Sequence, residues 1–132
     1  MNQVHAIAAP LGRILLALIF VTSGFSKISG YAATQGYMEA MGVPGALLPV
    51  VIAVELLGGL AVMLGWQTRV AAFLLAGFSL LSAVLFHADF GDQMQMIMFM
   101  KNVSIAGGFL MLVSLGGGAF ALDNRSASRQ SS

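Results

Sequence analysis

The chain has 132 residues, 58% of them hydrophobic and 8% charged, with a mean hydropathy of +0.91 and a formal net charge of +1. A soluble domain carries about 25% charged residues, so this composition excludes one and points to a single membrane-embedded domain. The small net charge gives no footing for nucleic acid. The absence of cysteine excludes disulfides, thiolate metal sites and thiol redox chemistry carried by the chain itself.

Taken in order, the sequence reads as four apolar spans. The first covers about residues 11–28, with Pro10 in its opening turn, where a missing N–H does no harm. No basic segment precedes it, and Phe25-Ser26-Lys27 is no small-residue cleavage site, so it is read as a membrane helix rather than a signal peptide. Residues 29–45 form a loop broken by Gly30, Gly36, Gly42, Pro44 and Gly45. Tyr31, Tyr37 and residues 38–41 suggest a short amphipathic piece at the membrane surface.

The second span, about residues 46–65, ends at Gly65 with Trp66 as an interface anchor. The short connection Gln67-Thr68-Arg69 makes spans two and three antiparallel neighbours. The third span covers about residues 70–88 and ends in Phe86-His87. The fourth, about residues 96–115, contains Lys101 and Asn102 and stops at Gly116-Gly117-Gly118. The expected fold is all-α: a four-helix transmembrane bundle over residues 1–122, with a polar, disordered tail at 123–132. Arg69, Arg125 and Arg129, with Arg13 nearby, fall on one side of the membrane, and Glu39, Asp89 and Asp92 on the other. The positive-inside rule then puts both termini in the cytoplasm.

Residues three and four apart share a helix face. The stripes are Arg13, Ala17, Phe20, Gly24 and Lys27 in span one, and Glu55, Gly58, Val62 and Gly65 in span two. In span three they are Ala72, Ala76, Ser79, Ala83 and His87, and in span four Lys101, Ser104, Gly108 and Met111. Each couples a polar residue to small ones, the composition of helix contacts in a membrane, so all four are expected to face inward.

Glu55 governs the interior. A carboxylate at that depth costs roughly 2.5–3.5 kcal/mol on insertion scales unless it finds a partner or a proton. The preferred pair is Arg13–Glu55, with Lys101 competing for the carboxylate. Three cations, Arg13, Lys27 and Lys101, stand against one buried carboxylate. Unless Asp89 or Asp92 neutralises a lysine, a basic pocket remains with His87 at its rim, suited to an anion, a lipid head group or quinone carbonyls. Blander roles stand beside these: an ion pair that only fixes helix register, a lysine that snorkels to the interface, and a boundary histidine satisfied by water. Met94, Met96, Met98 and Met100 alternate, which invites a Cu(I) reading, but at period two a helix scatters them, and interface packing is the better account. One histidine without ligand neighbours is no metal site. No phosphate loop, catalytic triad, haem-attachment motif or flavin fingerprint is present, so no catalytic residue is assigned.

With these residues in place, the chain resembles the DoxX family of small four-span membrane proteins. The resemblance rests on Leu11-Gly12-Arg13, Gly24-Phe25-Ser26-Lys27, Glu55-Leu56-Leu57-Gly58-Gly59, Gly65, Phe86-His87, Lys101-Asn102 and Gly107-Gly108, and covers about residues 8–118. It implies a multi-pass protein of the bacterial inner membrane, with relatives linked to quinone-coupled oxidation of sulfur compounds and to oxidative-stress complexes. Arg13, Lys27, Glu55, His87, Lys101 and Asn102 match the family's polar pattern.

The expected function is that of a quinone- or lipid-binding membrane subunit of a redox or stress-response system. Arg13 and Glu55 would set the bundle interior. Lys27, His87, Lys101 and Asn102 would contact the ligand, and His87 or Glu55 would carry a proton. Electron transfer would require a bound quinone or a redox partner protein, so the chain would be at most the membrane subunit of an oxidoreductase. The rivals are a non-catalytic scaffold or partner anchor, and a homo-oligomeric transporter component.

Overall fold

A computed structural model of the protein describes residues 2–118 and 121–123. The regular elements among the described residues are all helices, four of them long and apolar enough to cross a membrane. The long helices are α1 (Asn2–Ser29), α3 (Leu48–Leu64), α4 (Thr68–Phe86) and α5 (Gln93–Leu115). The surface piece expected between the first two spans is α2 (Tyr31–Ala40), followed by a 3-10 turn, Gly45–Leu47.

Helix α1 continues through Pro10 instead of starting there. The Pro10 carbonyl still serves the helix, and only its missing N–H and the crowded carbonyl one turn back are lost. Residues 124–132, including Arg125, Arg129 and all but Asp123 of the tail expected to be disordered, lie outside the described residues, while Asp123 itself is anchored to the turn after α3.

Each long helix runs antiparallel to the next. The turn between α3 and α4 is short because Gly65 ends α3 in the left-handed conformation, φ 73°, and its N–H reaches the Val62 carbonyl at 3.2 Å. Glycine reaches that conformation without the steric cost of a Cβ. A Cβ there would also stand 2.6 Å from Ala121 Cα and 2.8 Å from Arg13 Nη1. Helix α1 lies along α3 at close range, where a Cβ on Gly24 would fall 2.6 Å from Leu56 Cγ. This is the contact that small residues permit in a membrane, where packing replaces the hydrophobic effect as adhesive. Phe20 joins three spans, its ring 6.2 Å from Phe78 and 5.4 Å from Phe109, both edge-on.

The expected stripes of spans one to three are buried or half-buried along their length. The stripe of span four is not. Lys101, Ser104 and Met111 are exposed, and α5 instead buries Ala106 and Phe109. The physical reason is volume: Phe109 fills the space beside Phe20 that a row of small residues would leave empty.

Candidate functional site

The turn-free ends of α3 and α4, with the end of α1 and the start of α5, surround a cavity of about 520 Å³. Tight connection at the Gly65 end and a wider gap at the other let the helices open here. Helix α2 roofs the gap. Gln35 Nε2 donates to the Gly45 carbonyl at 3.1 Å, and Tyr37 stacks on Phe86 with ring centres 5.5 Å apart.

Most of the wall is apolar, supplied by residues such as Val50, Val54, Leu81 and Ile105. Lys27, Glu55, His87, Lys101 and Asn102 also line the cavity. Thus five of the six residues singled out from the sequence share one space, although they come from three spans and the end of a fourth.

Glu55 does not pair with Arg13. Its Oε1 stands 2.7 Å from Lys27 Nζ, with Glu55 buried and the Lys27 side chain about a quarter exposed, at 26%. Lys27 also donates a hydrogen bond to Ser23 Oγ at 2.6 Å, one helical turn back. The Glu55 contact is coulombic without an aligned hydrogen bond, since Oε1 has no hydrogen-bond partner. Lys101 is exposed and makes no ion pair with Glu55. His87 Nδ1 lies 2.9 Å from Gln95 Oε1 across the loop into α5.

Arg13 occupies the opposite end. Only 1% exposed, it donates from Nη1 to the carbonyls of Met63 at 2.9 Å and Val62 at 3.3 Å. It thereby serves two carbonyls of the last turn of α3, where helical partners run out, sharing that of Val62 with the Gly65 N–H. Antiparallel packing decides which cation Glu55 meets: Lys27 and Arg13 are about four turns apart on α1, and only Lys27 is level with Glu55.

Beside Arg13, Asp123 accepts from the backbone N–H of Gln67 at 2.7 Å and of Thr68 at 2.8 Å, where α4 begins. Its own N–H donates to the Gly65 carbonyl at 2.9 Å. Partial burial raises the Asp123 carboxyl. Hydrogen bonds from Thr68 and the Gln67 backbone, with the Arg13 charge, outweigh that and hold it below its ordinary value.

Several contributors escaped the sequence reading. Ser79 lies on the expected stripe of span three, though periodicity alone gives it no role, and Ser23 is legible from its i, i+4 spacing to Lys27. Gln95 and Asp123 gave no sequence signal, because their partners are set by loops. Among the described residues no cluster of three metal-ligating side chains occurs. The alternating methionines of α5 do not converge: Met94, Met96 and Met100 are exposed, and Met98 turns to the cavity.

The DoxX family profile matches residues 8–88. The chain belongs to the DoxX family. It is 50% identical over 123 residues to the inner membrane protein YqjF of Escherichia coli (strain K12), covering 93% of this chain and 95% of that one. It is 41% identical over 122 residues to the inner membrane protein YphA of the same organism, covering 87% of each. A Bacillus subtilis (strain 168) protein named "Putative oxidoreductase CatD" is 33% identical over 85 residues, covering 64% of this chain and 63% of that one. No solved structure matches. With four helices able to span the bilayer, this DoxX protein is a multi-pass protein of the inner membrane.

Proposed function

We propose that the cavity takes the head group of a membrane-soluble amphiphile, a quinone or an anionic lipid, and that the protein is a membrane subunit of a redox or stress-response system. One observation carries the reading. Lys27, Glu55, His87, Lys101 and Asn102 line a single cavity whose other walls are largely apolar. Its volume is in the usual range for small-molecule sites, roughly 300–1,000 Å³, and a few polar groups on an apolar wall are how such sites fix orientation. The donor set also fits a quinone, since Lys27 Nζ and the Asn102 amide can donate to carbonyl oxygens.

The redox half of the proposal is supported by the name of the Bacillus relative. A bound quinone would supply the electron chemistry, and a partner protein would pass electrons to or from it. This chain's residues would hold the head group, keep bulk water from it and, at Glu55 or His87, hold a proton. Both termini are proposed to be cytoplasmic, with Arg13 and Arg69 at that end and the cavity toward the opposite face.

The test is mass spectrometry of what co-purifies with the protein in mild detergent. A quinone or anionic lipid is expected at near-equal amount with the wild type, and several-fold less with Lys27→Ala or Lys101→Ala. Neither molecule in the wild type, or equal amounts in all three proteins, would overturn the reading and favour a scaffold.

A further inference from the structure

We infer that the inner end of this cavity is built for a hydroxyl group, so that Glu55 and Ser79 together hold the O–H of an uncharged amphiphile. The inference rests on the proposal that the cavity takes a membrane amphiphile, and decides which chemical class it takes.

Two buried oxygens define that end. Glu55 and Ser79 are each 2% exposed, on facing helices, and both line the cavity. Ser79 Oγ has no hydrogen-bond partner, and Glu55 Oε1 has the Lys27 ammonium 2.7 Å away but no aligned hydrogen bond. Ser79 does not bond back to its own helix, the usual resort of a membrane serine. Both lie at one depth: Glu55 is seven residues from the start of α3 at Leu48, and Ser79 seven from the end of α4 at Phe86. At the helical rise, each is about 10 Å inside the same boundary. Buried polar atoms in a folded protein are nearly always satisfied, so an unpartnered buried hydroxyl level with a carboxylate that keeps acceptor capacity beyond its one ion pair marks where an occupant makes its polar contacts.

Charge decides against an anion. An ionised carboxylate only accepts hydrogen bonds, so a phosphate set against Glu55 would meet like charge and no donor. The Lys27 ammonium is already matched by Glu55 at 2.7 Å and bonded to Ser23 at 2.6 Å. Lys101 is exposed to solvent, unlike the two buried oxygens. A hydroxyl meets both needs at once, donating its proton to Glu55 and accepting from Ser79 Oγ–H. A carbonyl or methyl ether can only accept. By this criterion the reduced, dihydroxy form of a quinone is held more tightly than its oxidised form, which accepts from Ser79 but offers nothing to Glu55. The apolar remainder has a way in from the bilayer, since Val50 and Leu81 line the cavity and are also exposed on the outer surface of α3 and α4.

The test titrates the delipidated full-length protein in mild detergent with 4-decylphenol, 4-decylanisole and phosphatidylglycerol, following binding by native mass spectrometry. The phenol is expected to bind about tenfold more tightly than the anisole, the worth of one buried hydrogen bond. Ser79→Ala, which removes the donor to either ligand oxygen, is expected to weaken phenol and anisole alike by several-fold, with Ser79→Thr restoring part of the loss. Lys27→Met/Glu55→Leu, which removes the acceptor together with its counter-charge, is expected to erase the preference for the phenol. Equal binding of phenol and anisole by the wild type, which needs no variant to fold, overturns the inference. So does phosphatidylglycerol binding that depends on Lys101 with no phenol binding, which leaves the cavity-binding proposal standing. If none of the three binds, both fall.

Discussion

Lys27 Nζ and Glu55 Oε1 meet at 2.7 Å, tying the end of α1 to the middle of α3. Removing one member of a buried pair strands the other, at a cost of about 3–5 kcal/mol in fully buried cases. Lys27 keeps some exposure while Glu55 is buried, so Lys27→Met, which strands the buried carboxylate, should cost more than Glu55→Leu, which leaves an ammonium that can rehydrate. The double variant Lys27→Met/Glu55→Leu should be more stable than Lys27→Met alone. Thermal unfolding in detergent checks the order, and additive effects would show that the two charges do not interact.

Arg13 serves a different purpose, bracing the last turn of α3 through the carbonyls of Val62 and Met63. Hydrogen bonds from a charged group contribute about 1.5–3 kcal/mol. Arg13→Met, which keeps much of the volume, is expected to lower stability by about that much and leave ligand content of the cavity unchanged. Loss of ligand with stability intact would reverse the assignment.

Gly65→Ala should be among the more damaging single-methyl changes in the protein. It forces a Cβ into a left-handed backbone, at roughly 1–2 kcal/mol, and toward Ala121 Cα and Arg13 Nη1. Overpacking adds about 1–3 kcal/mol where neighbours cannot move. The same change at Gly77, where a Cβ meets nothing within 4 Å, should be nearly silent. Expression level and melting temperature of the two variants make the comparison.

Acid should loosen the Asp123 anchor. Its carboxyl is held below the ordinary value, so the contribution is fully present above the free-chain value of about 3.9 and is lost as pH falls through the bound value. The amide resonances of Gln67 and Thr68, which donate to Asp123, should therefore shift only in the acid range. Asp123→Asn should show the shifted positions already at neutral pH. Shifts centred near pH 6 would indicate another titrating group.

Composition and run length determined the class of protein and the number of spans, because an apolar stretch of about 20 residues has few stable fates besides a membrane helix. Helical periodicity also found the buried faces of three spans and, within them, five of the residues that line the cavity. It could not find which charges meet. Periodicity fixes direction around a helix axis and leaves open how far each helix slides along its neighbour. Packing of Gly24 against Leu56 set that level, which brought Lys27 to Glu55 and carried Arg13 to the far end. The buried face of α5 was likewise decided by the space left around Phe20, a quantity that exists only once the other helices are in place.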